Sequence, residues 1–326
     1  MVEIFVAIGI IILWTFWSGF TDASNSITTV VATRALIPLH AVGLAALGNL
    51  MGIFLGEAVA ATIGKGIIDP TIVSGTLVIA AISGGMVYGV ITYIRGLPIS
   101  ESQVLVGSLI GAGIAASGLS VVNYYSVIGR ILVPMMLAPV IGFFITMLLA
   151  VSLIRSLWKW TKSRVNRYFG RFQIGSSLFF SITHGANDAQ KSAGIIAALL
   201  VYYQIETGFT VPLWVKLVSF GALSLGTLLG GWRIVRTMGF RLVRLEPWQG
   251  FSAETGGALV VGGASQAGFP LSTTQTVSGS IMGVGYVRGR IRLKVARQVI
   301  IAWALTIPAS AFFAFLIYKI ILVLGL

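Results

Sequence analysis

Cysteine is absent from the 326 residues, which excludes disulfides and thiolate metal sites. Histidine occurs only at His40 and His184, so a soft transition-metal centre would have few ligands to draw on. Charge is scarce: 10% of residues are charged and 56% hydrophobic, with a mean hydropathy of +0.96. A soluble chain of this length exposes far more charge, so the composition implies a polytopic membrane protein. Acidic residues are the rarest charges, 9 against 22 Lys and Arg, for a net charge of +13. Such a balance can mark a nucleic-acid binder, but the positions argue against it. Arg155, Lys159, Lys162, Arg164, Arg167 and Arg171 form one cluster. Arg233, Arg236, Arg241 and Arg244 form a second, and Arg288, Arg290, Arg292, Lys294 and Arg297 a third. All three lie between apolar spans, as cytoplasmic loops do. The expected partner is the lipid bilayer, not nucleic acid.

The apolar stretches run over 2–36, 39–63, 71–94, 97–117 and 127–154, then 174–203, 213–235, 250–268, 270–287 and 296–325. A straight crossing takes about 20 residues, so several have length to bend or split. The first begins without a basic leader and runs into a polar motif; it reads as a membrane segment, not a cleaved signal. Each half supplies about five segments, six where the longest divide. With the N-terminus outside and every stretch crossing once, cytoplasmic loops collect every Lys and Arg except Lys65, Arg130, Lys191, Lys216 and Lys319. An odd number of crossings per half makes the second half enter from the opposite face. The expected fold is an all-α polytopic membrane protein of two inverted-topology repeats, 1–154 and 173–326, with broken helices and re-entrant hairpins. A basic cytoplasmic or interfacial linker at 155–172, with Trp158, Trp160 and Tyr168, joins them. Both termini are then extracellular, in the plasma membrane, and a homodimer remains open.

Two polar motifs recur inside this apolar frame. Gly19-Phe-Thr-Asp-Ala-Ser-Asn-Ser26 aligns without gaps on Gly185-Ala-Asn-Asp-Ala-Gln-Lys-Ser192, at an offset of 166. Gly96-Leu-Pro-Ile-Ser-Glu-Ser-Gln103 aligns on Gly268-Phe-Pro-Leu-Ser-Thr-Thr-Gln275 at an offset of 172, and the match continues from Gly107 and Gly279. Two motifs in the same order at nearly the same offset indicate a duplicated half.

An ionisable side chain at membrane depth costs at least about 2.5–3.5 kcal/mol unless paired or solvated. Asp22 and Asp188, at equivalent places in inverted halves, should therefore approach one another near the axis between them. Gly19 and Gly185 read as unwound breaks whose free backbone groups line a cavity. Asp22, Asn25, Thr28, Asn187, Asp188 and Ser192 offer the hard oxygens that a small cation such as sodium takes. In the second motif, Gly-x-Pro interrupts a helix and places Pro98 and Pro270 near the start of the next. Ser100, Ser102 and Gln103, with Ser272, Thr273, Thr274 and Gln275, then surround two helix N-termini suited to a compact tetrahedral oxyanion. Alternatively, these hydroxyls only cap their helices. Lys191 stands where the first half has Asn25, and either meets the anion or neutralises one Asp. Glu254, inside an apolar segment, is a candidate for the coupling ion or a proton. His184 adjoins the second motif and can orient it. Gly48, Gly52, Gly56, Gly221, Gly226 and Gly230 suit close helix packing.

The stretches Gly19–Asn25 with Val30–Leu36, and His184–Lys191, resemble the two signatures of the inorganic phosphate transporter (PiT) family. Gly96–Gly113, Gly250–Glu254 and Gly268–Gly285 are similar to further blocks of it, so the resemblance covers nearly the whole chain. It implies a secondary transporter of inverted repeats that moves phosphate with sodium or, in some members, protons. It also implies that Asp22, Asn25, Asn187 and Asp188 form the core site, that the Ser/Thr/Gln clusters are phosphate-binding loops, and that Glu254 is a family acidic position. The chain departs from the family pattern at Thr21, Glu101, Gln103 and Gln275. Phosphate keeps a P–OH that can donate to a carboxylate, whereas sulfate has none, so a site containing Asp22 and Asp188 favours phosphate. The expected function is phosphate import by cation symport, sodium before proton, with alternating access at the midplane. A sulfate or other oxyanion permease and an uncoupled anion channel are the alternatives. No enzyme is expected: His40 and His184 lie in different contexts, and no nucleotide motif is present. No cofactor is expected beyond the coupling sodium ion.

Overall fold

The structure, a computed structural model, describes residues 2–68, 72–289 and 291–325. Arg290 of the third basic cluster lies outside the described residues. Short 3-10 turns aside, the described residues form two runs of six helices. The first comprises α1 (Val2–Ala32), α2 (Pro38–Met51), α3 (Ala58–Gly66), α4 (Gly75–Ile94), α5 (Glu101–Ser117) and α6 (Tyr124–Ser156). The second comprises α7 (Lys162–Tyr202), α8 (Leu213–Leu229), α9 (Trp232–Leu242), α10 (Pro247–Gln266), α11 (Thr273–Val287) and α12 (Leu293–Val323). The first motif lies in α1 and α7, and the second precedes and opens α5 and α11.

Two of the long apolar stretches divide, giving six pieces per half. The stretch 39–63 breaks at Gly56, whose φ of 99° is open to glycine without strain. The stretch 213–235 bends by 58° between α8 and α9. The basic stretch 155–172 is not a free loop: α6 ends at Ser156, and the residues from Lys162 onward are the first turns of α7. Thr161 caps that helix by accepting from the Arg164 N–H at 3.4 Å.

The packing repeats when the halves are exchanged. Helix α5 lies on α12, and α11 lies on α6; α1 lies on α8, and α7 on α2. The glycines show the same register. A Cβ at Gly107 or Gly111 would overlap the backbone at Ile307 or Ala311 of α12; one at Gly279 or Gly283 would overlap Pro139 or Phe143 of α6. Duplicated glycines thus seat each short helix against the long final helix of the other half.

With 17 and 15 residues, α5 and α11 are about 26 and 23 Å long, less than the ~30 Å hydrocarbon core. Each is preceded by an extended, proline-containing segment and begins inside the protein. Helices α6 and α12 turn Met136, Val140, Phe144, Leu148, Leu305 and Phe312 outward. That apolar exterior is costly in water and costs nothing against acyl chains.

Candidate functional site

The sequence suggests that Gly19 and Gly185 unwind their helices. They do not: α1 and α7 are continuous through both Asp motifs. One glycine within a helix costs only about 1 kcal/mol, which burial offsets. Its use here is closeness, since a Cβ at Gly19 would overlap Leu223 of α8 and one at Gly185 would overlap Asn49 of α2. Gly48, Gly52 and Gly226 also lie at close helix contacts, whereas Gly221 faces open space and Gly230 (φ 66°) marks the bend. No half-helix N-terminus exists at the first motif.

The breaks occur at the second motif. Gly96 and Gly268 adopt φ of 65° and 78°, a left-handed turn that ends α4 and α10. Pro98 and Pro270 lie in the extended stretches that follow, ahead of the helices instead of in their first turns. Ser100 and Ser272 are the N-caps, accepting from the Gln103 and Gln275 N–H groups at 3.1 and 3.2 Å. Capping therefore occupies these two hydroxyl oxygens and leaves Ser102, Thr273 and Thr274 to face the centre.

There the two motifs meet. The Thr274 hydroxyl donates to Asp22 at 3.1 Å, and the Thr273 hydroxyl to Asp188 at 2.9 Å. The Asn25 amide donates to both hydroxyls, at 3.2 and 3.0 Å. A carboxylate oxygen of Asp22, one of Asp188 and a ring nitrogen of His184 lie within 4.8 Å of one another, so the two carboxylates converge, as expected of the duplicated motif. Lys191 pairs with Asp188, bonds Ser102 Oγ, and reaches the Leu271 carbonyl at 2.9 Å. His184 is held between Asn49 (Nδ1 to Oδ1, 2.8 Å) and Asp188 (Nε2 to Oδ2, 3.0 Å, a close contact without good hydrogen-bond direction). Asn49 is fixed in turn by donating to Thr227 at 2.8 Å. Asp188 thus has two nitrogen partners, whereas no Lys or Arg pairs with Asp22 among the described residues.

Oδ1 of Asn25 and Asn187 and Oε1 of Gln103 and Gln275, all in the two motifs, are buried amide oxygens without a donor. Buried acceptors are normally satisfied, so these oxygens, of which those of Gln103 and Gln275 are equivalent across the two halves, suit bound cations or water.

Three predicted residues stand apart. Ser192 accepts from Thr15 at 2.7 Å, Thr28 faces Gly239 of α9, and Asn187 donates to Ser265 of α10 at 2.8 Å. Glu254 forms a second buried cluster. It accepts from Thr29 at 2.5 Å, from Gln173 at 3.1 Å and from Ser176, tying α10 to α1 and α7. Replacing Glu254 with Gln puts an amide donor among these donors, and leaving a buried donor unmet costs about 1–3 kcal/mol. A clear fall in melting temperature in detergent is expected for Glu254→Gln.

Sequence reasoning missed Asn49 and Thr227, which have no counterpart in the motifs, and the partnership of Thr21 with Glu101. The Thr21 hydroxyl donates to Glu101 Oε1 at 3.0 Å, both residues buried. These are two of the four positions that depart from the family pattern, and they touch.

A buried, charged site where two similar halves meet, wrapped in lipid-facing helices, defines a polytopic membrane transporter. The comparisons make this specific: residues 18–314 match the phosphate transporter family, to which the chain belongs. It is 40% identical over 315 residues to a Rhizobium meliloti protein named "Probable low-affinity inorganic phosphate transporter", covering 95% of this chain and 94% of that one. A Bacillus subtilis protein of the same name is 38% identical over 313 residues, covering 94% and 93%. A solved structure described as "The sodium-dependent phosphate transporter" superposes with a TM-score of 0.87 at 23% identity, covering 99% of this chain and all of that one, and shares its fold.

Proposed function

We propose that the chain imports inorganic phosphate by symport with sodium, alternating access around the site where Asp22 and Asp188 converge. The observation that carries this reading is the convergence itself. Two buried carboxylates repel unless positive charge lies with them, and among the described residues Asp188 has a built-in cation and Asp22 has no Lys or Arg partner. A sodium ion beside Asp22 would relieve that repulsion and favour an anion at the α5 and α11 N-termini, so each ligand raises the affinity for the other. Thr273, Thr274, Ser102 and Asn25 would hold the phosphate oxygens, while a P–OH would donate to a carboxylate. Residues 1–154 and 173–326 serve as the two moving repeats about the 155–172 connection, with both termini outside.

In proteoliposomes, an inward sodium gradient should drive accumulation of radiolabelled phosphate. Accumulation driven only by a proton gradient would reassign the coupling ion, and sulfate accumulating in place of phosphate would overturn the substrate. Thr273→Val and Thr274→Val each remove a hydroxyl without changing volume. A hydrogen bond contributes about 0.5–1.5 kcal/mol, so each should raise the phosphate KM by roughly two- to tenfold.

A further inference from the structure

The Lys191 ammonium is surrounded as a metal cation would be. Its oxygens come from a carboxylate (Asp188), a hydroxyl (Ser102) and a peptide carbonyl (Leu271, 2.9 Å), the hard neutral and anionic ligands that sodium also selects. The side chain is fully buried, so it is a fixed part of the interior. Applying the two repeat offsets gives the sister position. Asp188 corresponds to Asp22, Ser102 to Thr274, and Leu271 to Ile99. Asp22 and Thr274 are in contact at 3.1 Å, so the sister carboxylate and hydroxyl also lie together, although the Thr274 hydroxyl donates to its carboxylate whereas that of Ser102 donates to the Leu271 carbonyl at 2.9 Å. What differs is the cation. The residue equivalent to Lys191 is Asn25, which carries no charge and turns its amide N–H toward Thr273 and Thr274.

Resting on the sodium-coupled reading above, we infer that Lys191 is a tethered substitute for one of two cations, so the chain binds one fewer sodium with phosphate than its duplicated architecture accommodates. The second half keeps its positive charge permanently through Lys191; the first half must take its charge from solution, at Asp22 and Thr274. One carboxylate is then a structural counter-ion and the other the coupling group. This asymmetry could not arise from two identical halves. It also assigns Lys191 a role besides contact with the anion.

The test is equilibrium binding of radiolabelled phosphate to the purified full-length chain over a range of sodium chloride, with N-methyl-D-glucamine chloride holding ionic strength constant. The slope of log affinity against log sodium counts the ions bound with phosphate. Lys191→Asn, which copies the first half, should raise that slope by one, so a tenfold change in sodium changes affinity by about a further tenfold. Its melting temperature should rise with sodium more steeply than that of the parent, because sodium fills the place of the ammonium. Asp188→Asn/Lys191→Asn, which removes the carboxylate too, should return to the parental slope. If Lys191→Asn is not monodisperse, Lys191→Gln supplies the same measurement with the length of the side chain kept. A folded variant with an unchanged slope overturns the inference, as does one that no longer binds phosphate at any sodium concentration, since Lys191 would then be an anion ligand. A flat parental slope sinks the sodium-coupled reading instead; in that case a variant slope of one still supports the substitution, and a variant slope of zero overturns it.

Discussion

Asp22→Asn is expected to leave the protein folded and to reduce sodium-driven phosphate uptake by about 100-fold, whereas Asp188→Asn is expected to lose the fold along with the transport. Both residues are buried aspartates at equivalent positions, and their surroundings separate them. Asp22 accepts from Thr274 and has no Lys or Arg partner among the described residues. Asparagine retains an oxygen for that bond and removes only the charge. An interaction with a charged group contributes about 1.5–3 kcal/mol, and 2.8 kcal/mol is a factor of 100. Asp188 is the counter-ion of a fully buried lysine. Removing one member of a buried pair costs about 3–5 kcal/mol, because the remaining charge is stranded. Uptake in proteoliposomes and melting temperature in detergent, measured on the same preparations, check both halves of this expectation. Equal losses of stability in the two variants would contradict it.

Gly111→Val and Gly283→Val are expected to prevent correct assembly, and to do so equally. Each side chain would be placed against the backbone of the final helix of the opposite half, at Ala311 or Phe143. Overpacking costs about 1–3 kcal/mol where side chains can yield, and more where the obstacle is backbone. Helices α5 and α11 carry the caps and hydroxyls of the site, so displacing either one disperses it. Yield of monodisperse protein is the measurement. A severe loss at one glycine with tolerance at the other would show that the two halves do not pack by the same rule. Gly221→Ala, which faces open space, is the comparison expected to be tolerated.

Much of this arrangement was legible in the sequence, for identifiable reasons. Duplication placed Asp22 and Asp188 together because equivalent buried charges in paired halves have few other places to be. The Gly-x-Pro stretches announced real breaks, because glycine at positive φ and proline without an N–H interrupt a helix at consecutive points. Gly19 and Gly185 misled because a lone glycine is ambiguous between a break and a close contact, and no proline accompanies them to decide. The backbones of Leu223 and Asn49, which settle the matter, lie far away in sequence. Ser192 and Thr28 share the polarity of the residues that meet at the centre and differ in the direction they point around their helices. Glu254 looked like a member of the central site because an acid in an apolar segment is conspicuous; its partners Thr29, Gln173 and Ser176 were invisible until α1 and α7 were brought beside it. Asn49 and Thr227 carry no motif, and only the His184 ring between Asn49 and Asp188 gives them meaning.

On the proposed function, cation and phosphate share the space between Asp22, Asp188 and the openings of α5 and α11. An electron cryomicroscopy map of the protein saturated with phosphate and sodium tests it most directly. The expected map shows tetrahedral density against Thr273, Thr274 and Ser102, with a separate cation peak beside Asp22 and none displacing Lys191 from Asp188. Tetrahedral density remote from both carboxylates, or a cation bound only at Glu254, would contradict the account.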